Sequence, residues 1–100
     1  MGLDIVIYKE NNQKKITEIK EKTHKVIFST QNDLSEMTQL IRLKDYYKTN
    51  VHLELEEVKV LIDDLKKISK QIESFHKNEI INIINLLSEP MLKKVHIAGD

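Results

Sequence analysis

One hundred residues, 40% of them apolar and 32% charged, describe one small folded domain, 1–100, with a single hydrophobic core. Sixteen basic side chains balance sixteen acidic ones, which removes the long-range attraction that steers a chain toward nucleic acid or an anionic membrane. Cysteine is absent, which excludes disulfides and thiolate metal sites and fits a reducing compartment.

The opening apolar run, Leu3–Tyr8, is too short for a signal-peptide core and carries Asp4 inside it. Position 6 is Val where an N-myristoylation signal has Ser or Thr. No stretch approaches transmembrane length, so the expectation is a soluble cytoplasmic protein. Leu3-Asp4-Ile5-Val6-Ile7-Tyr8 is β-branched and aromatic and predicts a strand, with Leu3, Ile5 and Ile7 on one face. Apolar residues on both faces place it centrally in a sheet. Lys9 to Lys15 is polar and Asn-rich, a loop by composition. Ile16–Lys22 fits an irregular segment or a short helix, although Ile16, Glu18 and Lys20 also suit an exposed strand face.

Val26, Ile27 and Phe28 predict a second strand over Lys25–Thr30. Asp33 with Glu36 three residues on forms a capping-box pattern, and Leu34, Met37, Leu40 and Ile41 continue at helical spacing to Tyr47. Val51, Leu53 and Leu55 then alternate with polar residues, as in a brief strand or extended lead-in. From Glu56 to Phe75 the steps between Val58, Leu61, Leu65, Ile68, Ile72 and Phe75 are three or four residues, which draws one apolar stripe along the longest helix, 56–76. Glutamates precede this helix and lysines fill its second half, as the helix dipole favours. Lys59 with Asp63, Asp63 with Lys67 and Glu73 with Lys77 stand four apart, where ion pairs form. His76–Glu79 interrupts the stripe before Ile80–Leu87 resume it, so 56–88 is either two helices or one kinked helix, ended by Pro90. Met91–Ile97 is a last strand or an extended tail, with Gly99-Asp100 loose at the end.

The residues do not assemble a reaction centre in sequence. His24, His52, His76 and His96 match no metal-ligand spacing. Asp63 and Asp64 point about 100° apart on a helix and cannot share a metal or a proton, so ion pairing with lysines is their expected role. Glycine occurs only at 2 and 99, which leaves no phosphate-cradling loop. Lys14, Lys15, Lys20, Lys22 and Lys25 are basic, but Glu18 and Glu21 dilute them, and Arg42 is the only arginine. The expectation is therefore a chain that is no enzyme, takes no cofactor or metal, and binds neither nucleic acid nor membrane. Two features point to a protein partner. Glu54, Glu56, Glu57, Asp63 and Asp64 against Lys59 make a locally acidic region suited to a basic partner surface. Tyr46 and Tyr47 end a helix beside a turn, where tyrosines serve as interface anchors.

The opening Met1-Gly2-Leu3-Asp4-Ile5-Val6-Ile7-Tyr8, with the acidic Leu53-Glu54-Leu55-Glu56-Glu57-Val58, resembles a group of small bacterial and phage proteins that begin Met-Gly-Leu-Asp and run into an apolar strand. The resemblance covers about a fifth of the chain and carries no functional residues across. The Lys-, Ile- and Asn-rich usage suggests an AT-rich genome. Small cofactor-free domains from such genomes resemble, in type, immunity proteins that neutralise a toxin. The expected fold is α+β: a small antiparallel sheet from Leu3–Tyr8, Lys25–Thr30 and a third strand, packed against helices near 34–47, 56–76 and 79–88. The expected function is a non-enzymatic inhibitor of the immunity or antitoxin kind. The alternative is a structural or regulatory homodimer joined through the Val58–Phe75 helix.

Overall fold

A computed structural model of the chain describes residues 2–29, 32–72 and 75–99. It is α+β, a four-stranded antiparallel sheet with its helices on one side. Strand β1, Leu3–Lys9, buries Leu3, Ile5 and Ile7 completely on one face and half-buries Asp4, Val6 and Tyr8 on the other. It is an interior strand, as its two-sided apolar character requires.

The next two elements differ from expectation. Lys14–Ile19 is strand β2, paired with β1 from Leu3↔Ile19 to Tyr8↔Lys14. The hairpin closes because Asn12 accepts a left-handed backbone (φ 66°), while the Lys9 N–H donates to the Gln13 carbonyl at 2.8 Å. The alternation is faint because Ile16 and Glu18 point to solvent and only Ile19 is buried. Glu21–Ile27 is helix α1, where a strand over Lys25–Thr30 was expected. A three-residue apolar run fits either period; Thr23, His24 and Ile27, three and four residues apart, turn one helical side to the core. Thr30 lies outside the described residues.

The expected 34–47 helix is also replaced, by turns around a short 3₁₀ helix, Leu40–Leu43. Asp33 does not cap it through Glu36. Its Oδ1 accepts from the Ser35 N–H (3.0 Å) and hydroxyl (2.7 Å), which holds its carboxyl below the ordinary carboxylate range. Asp45 likewise accepts from the N–H groups of Tyr47 (3.1 Å) and Lys48 (3.0 Å). Both aspartates give the backbone a local alternative to the helix, and both are used.

Strand β3, Asn50–Leu53, leads into helix α2, Leu55–Ser69, and helix α3, Phe75–Leu87. The chain therefore forms two helices, α2 ending at Ser69 and α3 already under way at Phe75, so His76–Glu79 is no break. The end of α2 tightens as the Gln71 N–H reaches the Ile68 carbonyl at 2.9 Å. Val58, Leu61, Leu65, Ile68 and Ile72 are all buried in the same core as the inward residues of the sheet. Those five stripe residues are therefore covered within one molecule. The Phe75 side chain and Glu73 lie outside the described residues. Lys59 pairs with Glu56 at 3.8 Å rather than with Asp63.

Strand β4, Leu92–Ala98, is no tail. It inserts between β1 and β3, antiparallel to both, giving the order β2-β1-β4-β3. Ile27, Leu40, Leu43, Leu65, Ile80 and Ile84 all join Leu3, Ile5, Ile7, Val95 and Ile97 in one cluster. Every helical segment thus covers the same face of the sheet.

The chain end is anchored rather than loose at Gly99, whose N–H donates to the Thr49 carbonyl at 2.8 Å. A Cβ at this position would run into the main-chain carbonyl of Tyr46. Backbone cannot swing aside as a side chain can, so Gly99→Ala is expected to cost about 1–3 kcal/mol. A urea unfolding curve against the parent chain measures it; an unchanged midpoint shows that the 46–49 turn can retreat from β4.

Candidate protein-binding surface

The acidic residues of 54–64 separate into two groups once α2 is in place. Glu54 is its N-cap, with an extended backbone, and forms a capping box with Glu57, whose Oε1 accepts from the Glu54 N–H at 3.1 Å. The other carboxylate oxygen of Glu57 takes Arg42 Nη1 at 2.8 Å. The Glu54 N–H and then Arg42 hold the Glu57 carboxyl below its ordinary range. Being the depressed-carboxylate case, this pairing favours the fold above the ordinary glutamate range and fades as acid protonates Glu57. Because the site is exposed, the effect is small.

Asp64 leaves the surface altogether. It is 2% exposed, and its Oδ2 accepts from the N–H groups of Gln39 and Leu40, each at 3.0 Å. One carboxylate thereby satisfies two donors at the start of the 3₁₀ helix and ties that segment to α2. Glu54, Glu56 and Asp63 remain exposed. At 100° per residue, Leu55, Lys59, Asp63, Glu56 and Val60 fall along one arc of the helix, opposite Val58, Leu61 and Leu65. Leu55 is 44% and Val60 40% exposed within that arc. Leu55 also lines a cleft of about 380 Å³, together with Val58, Ile62, Leu87 and Leu92 and with Glu10 and Glu89.

The tyrosines do not join this group. They sit in the turn before β3, whereas Glu54 follows β3, so four strand residues, about 13 Å, separate them. They also divide between core and surface. Tyr46 is half-buried and meets the His24 ring edge-on, with centroids 4.9 Å apart. Tyr47 is exposed and donates its hydroxyl to Glu21 at 2.8 Å, a bond that raises its phenol above the ordinary range.

Two further arrangements join residues far apart in sequence. Thr23 on α1 is 1% exposed; its hydroxyl donates to the Glu79 carboxylate and lies 3.2 Å from His76 Nδ1. The hydroxyl has one proton, already given to Glu79, so Nδ1–H donates to the threonine oxygen. The trio bolts α1 to α3. The second arrangement lies on the sheet face away from the helices. Ile16, Val6, His96 and His52 stand directly opposite one another across all four strands. The His52 and His96 rings stack 4.1 Å apart and 3° from parallel, and His96 Nε2–H donates to Asn50 Oδ1 at 2.7 Å. Burial, then the neighbouring His52, holds His96 below the ordinary histidine range.

Among the described residues, no group of three or more histidine, aspartate or glutamate side chains is placed to hold a metal ion, and no helix is long and apolar enough to cross a membrane. No protein-family model, curated protein or solved structure matches the chain.

Proposed function

We propose that this chain is a non-catalytic protein-binding domain that blocks a partner by surface contact, with neutralisation of a toxin as its specific form. The observation that supports the reading is the outer arc of α2. Leu55 and Val60 stay exposed among Glu54, Glu56 and Asp63, beside an apolar cleft. Exposed apolar side chains flanking a charged strip offer a partner both apolar and charged contacts, as protein interfaces do. The acidic groups of that strip suit a basic partner, such as an enzyme acting on nucleic acid, and accelerate its capture.

Glu56 and Asp63 are the positions to reverse, because neither caps the helix nor bonds to Arg42. Glu56→Lys/Asp63→Lys is expected to leave the unfolding midpoint nearly unchanged while weakening the partner complex about tenfold or more, most strongly at low salt. Titration calorimetry against the product of the adjacent reading frame reads both affinity and stoichiometry. Absence of a complex, or a complex indifferent to the reversal, removes the proposal.

A further inference from the structure

Strand β2 is an open edge of the sheet. In the order β2-β1-β4-β3 it pairs with β1 alone among the described residues. Lys14, Lys15, Ile16 and Glu18 are exposed along it, Ile16 at 63%. The register decides which main-chain groups this edge leaves free. The Lys9 N–H donates to the Gln13 carbonyl at 2.8 Å, and these two residues continue the register that runs Ile7↔Lys15, Tyr8↔Lys14. Directly opposite residues of an antiparallel pair alternate between hydrogen-bonded and non-hydrogen-bonded. Counted from Lys9 and Gln13, the bonded partners in β2 are Lys15, Thr17 and Ile19. Lys14, Ile16 and Glu18 therefore turn their N–H and C=O groups away from β1, toward the open side.

We propose that this edge pairs with the same edge of a second copy, antiparallel about a two-fold axis through Ile16, so that two four-stranded sheets become one continuous sheet. With the axis there, Lys14 of each copy stands directly opposite Glu18 of the other. Ile16 meets Ile16, and Lys15 meets Thr17. Lys14, Ile16 and Glu18 lie on one face of the strand, so an unlike-charge pair flanks the apolar contact on either side. The main chain agrees with the side chains. The outward N–H and C=O groups of Lys14, Ile16 and Glu18 meet each other in this register, two hydrogen bonds to each opposed pair.

The neighbouring registers fail. An axis through Lys14, Lys15 or Glu18 sets that residue against its own like charge. An axis through Thr17 sets Lys14 against Lys20 and Ile16 against Glu18. Like charges directly opposite are destabilising, so the Ile16 axis is selected. Lysines on a free edge ordinarily keep other edges away. Glu18 lifts that protection for a strand that brings a carboxylate to Lys14 and an ammonium to Glu18 at this spacing, which a second copy does. The opposite edge, Asn50–Leu53, is only four residues long and offers a shorter ladder. It is also the edge that leads into α2, so β2 stands at the other end of the sheet from the acidic arc, and the dimer does not depend on that surface. One added strand pair is at the small end for specific association, which makes the dimer reversible, in the high-micromolar range.

Sedimentation velocity on the full chain, from about 10 µM to about 1 mM, is expected to show a concentration-dependent monomer–dimer equilibrium. Lys14→Glu and Glu18→Lys each put like charges at both ends of the strand pair, and each is expected to raise the dissociation constant about tenfold or more. The exchange Lys14→Glu/Glu18→Lys restores both unlike pairs and is expected to bring the constant back to within about threefold of the parent. Ile16→Pro removes an N–H that points outward and takes no part in the β1–β2 ladder. That variant is expected to keep the parent's far-UV circular dichroism and to stay monomeric. A parent that is monomeric over the whole range overturns the proposal and leaves the edge to a different strand. A dimer that survives Ile16→Pro or either single reversal overturns it too, as does an exchange variant that is folded yet fails to associate.

Discussion

Asp64→Ala is expected to destabilise the fold by about 2–4 kcal/mol, since a buried carboxylate that satisfies two main-chain donors leaves both unpaired when removed. Asp64 Oδ2 reaches the N–H groups of Gln39 and Leu40 at 3.0 Å each, and those donors have no helical partner at the start of the 3₁₀ turn. The loss falls on a segment with little regular structure of its own, so its packing through Met37, Leu40 and Leu43 depends on this tie. Asp64→Asn keeps an acceptor but loses the charge and adds two donors, and should fall between the parent and Asp64→Ala. Urea midpoints measured at one fixed protein concentration check the order, because any self-association makes apparent stability depend on concentration. An Asp64→Ala midpoint equal to the parent would falsify this account of the residue.

His24→Ala is expected to cost a similar amount, about 2–4 kcal/mol, by two separable routes. The ring is buried, 4.6 Å from Phe28 and 4.9 Å from Tyr46 between centroids, so truncation opens a cavity. Its Nε2 also meets the Leu43 carbonyl at 2.8 Å, and a carbonyl only accepts, so Nε2 carries the proton. His24→Phe keeps a ring but abandons the carbonyl, and should retain a cost of about 1–3 kcal/mol. His24→Gln can restore a donor without the ring contacts. If the phenylalanine variant unfolds at the parent's midpoint, the hydrogen bond contributes nothing net and packing is the whole role.

The candidate surfaces were legible only in part. Glu54, Glu56 and Asp63 stand exposed at the start of α2, where composition placed an acidic region, but charge alone did not separate them from Glu57 and Asp64. That separation came from partners distant in sequence: Arg42 is fifteen residues from Glu57, and Leu40 is twenty-four from Asp64. The histidines show the same limit. Their spacing excluded a metal-ligand pattern, and nothing in it shows that His52 and His96 stack across β3 and β4. Ile16 carried a faint signal, since its alternation with Glu18 suits an exposed strand face, and the structure puts it there.

What the sequence by itself determined was the α+β class, a central strand over Leu3–Tyr8, which the structure extends to Lys9, and the apolar stripe of α2. These have a strong period or a continuous apolar run, so local chemistry and burial ask for the same conformation. Tertiary structure decided the rest. Val26-Ile27-Phe28 became the end of a helix because Thr23, His24 and Ile27 meet the core from one helical side. Lys14–Ile19 became a strand because β1 offered an edge, and Leu92–Ala98 became an interior strand because β1 and β3 both had one to pair. A main-chain ladder takes its partners from wherever the fold brings them, and neither short apolar runs nor edge strands carry enough periodicity to announce that in advance.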